Sequence, residues 1–90
     1  MPDKKINLTI VTMDGCIHCA RAKEVLAKVQ PDYPDLTIKE VKITSDEGQK
    51  LISKYSIMSN PGIIINDELF SVGGTTEEDL RKKFGEILSS

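Results

Sequence analysis

The sequence predicts an α/β domain: a four-stranded mixed sheet flanked by three helices, in the order β-α-β-α-β-β-α. Three observations predict it. Short, β-branched apolar runs alternate with longer segments whose apolar residues recur at helical spacing. The first two strands are joined through a helix, which makes them parallel by a right-handed crossover. The last two are separated only by Asn66-Asp67, whose turn chemistry makes them an antiparallel hairpin. One mixed sheet is the economical way to close these elements.

Each element has its own signature. Ile6-Asn7-Leu8-Thr9-Ile10-Val11 alternates and reads as a strand. Thr12 to Gly15 is a turn. Cys19, Ala22, Val25, Leu26 and Val29 then share a helical face, and Pro31-Asp32-Tyr33-Pro34 stops that helix. Leu36 to Ile43 forms the second strand. Asp46 is placed to cap a second helix carrying Leu51, Ile52 and Tyr55. Gly62-Ile63-Ile64-Ile65 is apolar without alternation, as a strand covered on both faces must be. Glu68 to Val72 completes the hairpin. Thr75-x-x-Glu78 reads as a capping box, and Leu80, Phe84, Ile87 and Leu88 line the last helix.

Ninety residues without repeats, linkers or low-complexity tracts predict one domain over 1–90. Apolar residues make up 39% and charged residues 29%, with a formal net charge of -2 and the signs interspersed. No basic cluster offers a footprint for nucleic acid or a membrane surface. No apolar run reaches the ~20 residues of a membrane span. The start, Met1 to Lys5, leads only into the short stretch Ile6 to Val11, less than a signal peptide needs. The expected location is therefore cytoplasmic, and the expected state is a monomer. In a reducing cytosol, Cys-x-x-Cys points to redox chemistry or metal rather than to a structural staple.

The two cysteines, Cys16 and Cys19, stand at i and i+3. On a helix that spacing puts them on one face with Cβ atoms ~5–6 Å apart. A disulfide needs ~3.8 Å, so a small adjustment of one turn switches between bonded and free states. Cys16 stands at the helix start, where orphan N–H groups and the helix dipole favour an anion. That lowers its pKa below the unperturbed ~8.5 and makes it the nucleophile. Cys19, one turn in, faces the core and is expected to be the resolving thiol. His18 lies between them. Protonated, it supports the Cys16 thiolate and an oxidising potential; turned to solvent, it does little.

Three further places bear on the site. Pro61 opens a strand, the position a residue without an N–H tolerates, and Asn60 precedes it as a turn or site-lining residue. Gly73-Gly74 is either a permissive turn or a place where a substrate backbone approaches closely. Glu40, a charged strand residue, reads as solvated rather than as a proton relay to Cys19.

From Ile6 to Leu88 the chain resembles the thioredoxin/glutaredoxin superfamily, in particular the small, glutaredoxin-sized thioredoxins of archaea and bacteria. Cys16-Ile17-His18-Cys19 matches the active-site motif of that superfamily. Tyr55 to Pro61 is similar to a Tyr-x-Ile-x-x-x-Pro stretch in which the proline is cis and packs on the disulfide. Val72-Gly73, followed by Thr76-x-Glu78-x-Leu80, is similar to the glycine and acidic helix that end a thioredoxin. The resemblance implies a thioredoxin-like fold and thiol-disulfide exchange serving electron transport and cell redox homeostasis. It implies Cys16, Cys19 and His18 as catalytic residues, and Asn60, Pro61, Gly73 and Gly74 as substrate-binding ones. It implies protein disulfides as substrates, with a thioredoxin-reductase-like donor or glutathione, and no cofactor. Several positions depart from the pattern. Gly15 replaces the tryptophan before the first cysteine, Ile17 replaces the usual proline, and Ser59-Asn60-Pro61 replaces the apolar Thr-Val-Pro of glutaredoxins. The buried acid before the motif falls near Ile10.

The rival reading is a soft-metal module. Met13 through Cys19 is similar to the Met-x-Cys-x-x-Cys loop of copper chaperones, whose thiolates hold Cu(I). Met13 stands one residue too far from Cys16 for that loop, and zinc wants four ligands where Cys16, His18 and Cys19 supply three.

Overall fold

The computed structural model describes residues 5–89. The start Met1–Lys4, read above as too little for a signal peptide, and the extreme ends of the expected 1–90 domain lie outside the described residues. Within them the chain runs β1 (Ile6–Thr12), α1 (Ile17–Val29), a short 3-10 turn (Gln30–Asp32), β2 (Leu36–Lys42), α2 (Asp46–Tyr55), β3 (Gly62–Ile65), β4 (Glu68–Val72) and α3 (Glu77–Ser89). The sheet order is β2-β1-β3-β4. β1 and β2 are parallel, with Ile6 opposite Leu36 and Val11 opposite Val41. β3 is antiparallel to both β1 and β4.

β3 is covered on both faces, and β1 on one face throughout and on the other toward its carboxyl end, where Asn7 is exposed and Thr9 half-buried but Val11 is buried. Ile6, Leu8 and Ile10 of β1, with Ile63 and Ile65 of β3, pack against Ala22, Leu26 and Val29 of α1 and Leu80 and Phe84 of α3. The intervening residues Val11 and Ile64 face the other way, onto Ile57 and the α2 side chains Leu51, Ile52 and Tyr55. This is why Gly62 to Ile65 shows no alternation: each face has its own helix layer. Burying such a side chain stabilises the fold by about 1.5–3 kcal/mol. α3 is tied to the turn after α1. The Tyr33 and Phe84 rings meet edge-on at 4.9 Å, and Arg81 Nη2 donates to Asp32 at 2.8 Å.

Helix starts differ from the sequence reading in two places. α2 is capped by Ser45, whose Oγ accepts from the Gly48 N–H at 3.0 Å, and Asp46 is the first helical residue instead. Gly48 packs so closely beneath the Lys42 carbonyl that a Cβ there would collide with it. That contact fixes the register of the helix one residue earlier. In α3 the cap is Thr76, whose Oγ1 accepts from the Asp79 N–H at 3.1 Å, rather than Thr75 with Glu78. Gly73 and Gly74 both adopt positive φ, so the chain extends one residue further before it turns helical.

Phe84 is fully buried where β1, α1 and α3 meet. Phe84→Ala should cost about 3–5 kcal/mol. Urea unfolding should show the midpoint falling with the slope unchanged. A loss below 1 kcal/mol would show that the three elements do not share one core.

Candidate active site

β1 ends at Thr12, and the chain turns through residues 13–15 to enter α1 with Cys16 as its N-cap. Cys16 has extended backbone angles, φ -89° and ψ 113°. Its sulfur accepts a hydrogen bond from the Cys19 N–H at 3.1 Å. A serine or aspartate oxygen does this in most helices; here the sulfur satisfies the orphan donor. The first turn of α1 carries no acidic side chain, so the cap is where negative charge is most favoured.

Both thiols are free, Cys16 half-buried and Cys19 buried. They are displaced in opposite directions. Cys16 is held below the usual thiol range, first by a hydrogen bond from the Cys19 thiol; burial opposes this, and the Cys19 and His18 backbone N–H groups add to it. Cys19 is pushed above that range, first by burial, then by giving its proton to the Cys16 sulfur and by the charge there. The Met13 backbone and the positive charge of Lys23 pull the other way.

The remaining expected residues gather around this pair in two adjoining depressions. One, of about 400 Å³, is lined by Met13 through Ile17, Cys19, Ala20, Lys23 and Lys42. The other, of about 350 Å³, holds exposed His18 with Arg21, Gly73, Gly74 and Asp79. His18 therefore supports the Cys16 sulfur through its backbone N–H and also lines the neighbouring cleft. Asn60 and Pro61 join the two. The Asn60 amide donates to the Met13 sulfur at 3.4 Å. The Asn60-Pro61 bond is cis, and the buried Pro61 presents its carbonyl to the Gly73 N–H at 2.9 Å. A Cβ on Gly73 or Gly74 would meet no atom, so these glycines answer the positive φ of the turn rather than crowding within the chain. Met13 and Ile17, which line the cysteine cleft, are 42% and 70% exposed, and Met58 and Val72 are exposed apolar residues flanking Asn60-Pro61 and Gly73 in sequence.

A polar cluster at the foot of the first cleft escaped the sequence reading. Thr12 is buried, and its hydroxyl donates to Glu40 Oε2 at 2.7 Å. Lys23 and Lys42 both reach the same oxygen at 3.3 Å, and Lys42 also pairs with Asp14 at 3.0 Å. Glu40 was expected to be solvated; its side chain is 32% exposed but engaged by three partners. A buried hydroxyl needs an acceptor, and Glu40, two places past Ile38 on the neighbouring strand, supplies it. The one available signal was Lys23 at i+4 from Cys19. Ile10, where the superfamily carries an acid, is buried apolar core. Among the described residues no group of three or more His, Cys, Asp or Glu side chains is arranged to hold a metal ion.

A family model described as a thioredoxin domain matches residues 5–85. The chain belongs to the thioredoxin family. It is 33% identical over 76 residues to the thioredoxin of Methanocaldococcus jannaschii, covering 84% of this chain and 88% of that protein. It is 30% identical over 77 residues to a probable thioredoxin of Archaeoglobus fulgidus, covering 86% and 84%. Solved structures share the fold at low identity. A thioredoxin-like protein from Clostridium perfringens superposes with a TM-score of 0.80 at 12% identity, covering 96% of this chain and 73% of that one. Chloroplastic thioredoxin z gives 0.77 at 15% identity, covering 97% and 81%. The thioredoxin relatives support thiol-disulfide oxidoreductase activity in this chain, with Cys16 and Cys19 as its Cys-x-x-Cys pair. No helix among the described residues is long and apolar enough to cross a membrane.

Glu40 is pulled from the usual 4.5 down to about 2, chiefly by the Thr12 hydroxyl and then by Lys23 and Lys42. A carboxylate depressed by folding stabilises the native state above its unfolded pKa and loses that contribution as pH falls through its folded one. Glu40→Gln should therefore be less stable than the wild type by about 1 kcal/mol at neutral pH, given its partial exposure. Thermal melts should show the gap closing between pH 4.5 and about 2. A gap that stays constant over that range would remove Glu40 from the ionised cluster.

Proposed function

We propose that the chain exchanges disulfides with protein substrates through two unequal thiols, Cys16 attacking and Cys19 resolving. One observation carries this reading: the Cys16 sulfur caps α1 and is stabilised as an anion, while Cys19, one turn on, is buried and keeps its proton. The Cys16 thiolate attacks a substrate disulfide, forming a mixed disulfide and releasing one substrate thiolate. Cys19 then attacks the Cys16 sulfur, releasing the second substrate thiol and leaving the Cys16–Cys19 disulfide. A thioredoxin-reductase-like donor or glutathione returns the pair to the dithiol.

The substrate lies across the mouth of both clefts. Asn60, Pro61, Gly73 and Gly74 form one wall, and the exposed Ile17, Met58 and Val72 favour a polypeptide with apolar residues near its disulfide. His18 supports the site by its backbone N–H on the Cys16 sulfur. We place the protein, as a single-domain monomer, in the cytoplasm, where a free Cys-x-x-Cys pair is kept reduced between turnovers.

Cys16→Ser should abolish reduction of the insulin disulfides. Cys19→Ser should still attack but stall as a covalent adduct that dithiothreitol releases. Alkylation rate against pH should report a Cys16 pKa below that of an unperturbed thiol. Faster alkylation of Cys19, or full activity in either variant, would reverse the assigned roles.

A further inference from the structure

The resolving step asks Cys19 to become a thiolate in a place that keeps it protonated, and it rests on the two-thiol reading above. Two of the effects that hold its proton come from Cys16 itself: the hydrogen bond it gives to that sulfur, and the charge there. Once the Cys16 sulfur is bonded to substrate its charge is gone, and the hydrogen bond to it weakens to that of a neutral sulfur. Burial then still favours the thiol. The Met13 backbone and the Lys23 ammonium favour the thiolate.

Lys23 is placed for this by sequence and by packing. It follows Cys19 at i+4, which puts both on the same face of α1, and both line the same cleft. Its ammonium is anchored on Glu40, 3.3 Å from Oε2 and 3.5 Å from Oε1. The other charged groups facing this cleft are one ammonium and two carboxylates, so Lys23 completes a balanced set. Lys42 sits between Asp14 at 3.0 Å and Glu40 at 3.3 Å, and Glu40 divides its charge among Thr12, Lys42 and Lys23. His18, Arg21 and Asp79 belong to the neighbouring depression.

We propose that Lys23, held in place by Glu40, is a positioning residue for the second half of the exchange: its charge stabilises the Cys19 thiolate that attacks the mixed disulfide. Cys19 loses its proton to water, its sulfur bonds to the Cys16 sulfur, and the substrate thiolate departs with the electron pair of the broken bond and is protonated by solvent. Formation of the mixed disulfide thereby triggers its own resolution, since it removes the charge that had helped to keep Cys19 protonated.

The test follows the two half-reactions separately. Reduced protein is mixed in stopped flow with dithiodipyridine, a neutral disulfide that Lys23 cannot attract, and release of coloured pyridinethione is followed against pH. The first equivalent reports attack by Cys16 and the second attack by Cys19. Lys23→Met should slow the second release about threefold at neutral pH, the scale of a partly exposed ionic interaction. It should move the pH midpoint of that release upward and leave the first release unchanged. Lys23→Arg should restore the wild-type second phase, and added salt should slow that phase in the wild type but not in Lys23→Met. A second phase in Lys23→Met with the wild-type rate and midpoint would overturn the proposal. If Cys19→Ser still releases the second equivalent, the resolving role of Cys19 itself falls, whatever Lys23 does.

Discussion

One face of strand β1 is sealed along its whole length and the other is open to water only at Asn7 and, in part, Thr9, and the rest of the molecule follows from that constraint. Ile6, Leu8 and Ile10 need one layer of helices and Val11 needs another. A strand covered twice must be flanked by other strands, so β2 and β3 pair on its two sides. Its chain can then leave only at an end of the sheet. It leaves at the carboxyl end, turns within three residues and enters α1. The amino terminus of a helix, with its unpaired N–H groups, is thus delivered to the edge of the sheet, where open α/β sheets bind ligands. The cysteine pair occupies that place.

The same arrangement sets the two sulfurs apart. Cys16 belongs to the rim, where the helix ends and water begins. Cys19 belongs to the packed face that α1 lays on the sheet with Ala22, Leu26 and Val29. Chemical difference between identical side chains is here a difference of depth, converted into acidity by the burial of Cys19 and by the hydrogen bonds the Cys16 sulfur accepts, first from the Cys19 thiol. The β3–β4 hairpin closes the other side: Pro61 and Gly73 meet through the backbone, although eleven residues separate them in sequence.

Much of this was legible before any coordinates, and the reasons differ by element. The strands and helices were readable because hydrophobic period reports burial directly, and even the unbroken run Ile63-Ile64-Ile65 signalled a strand covered twice. The cysteines were readable because a helix start is a local feature. The caps were misplaced by one residue because capping is decided by backbone approach: Gly48 under the Lys42 carbonyl favours Ser45, and two positive-φ glycines favour Thr76. The Glu40 cluster was barely legible, Lys23 at i+4 from Cys19 being its one signal. It joins Thr12, Lys23, Glu40 and Lys42 from three elements: the parallel register of β1 and β2 sets Thr12 beside Glu40 and Lys42, and the packing of α1 on the sheet adds Lys23. That His18 shares a depression with Gly73 and Gly74 was equally hidden, since these residues lie far apart in sequence.

The sulfur cap on α1 also couples two equilibria that are usually treated apart. The bond from the Cys19 N–H to Cys16 steadies the folded dithiol, and a thermodynamic cycle ties any such preference to electron affinity. Whatever the fold adds to the dithiol over the disulfide appears as a higher reduction potential, with about 30 mV for each 1.4 kcal/mol. Conformational stability and oxidising strength are therefore two readings of one quantity in this chain. A substitution that loosens the start of α1 in the reduced form, even one that touches neither sulfur, would retune which partners it can give electrons to.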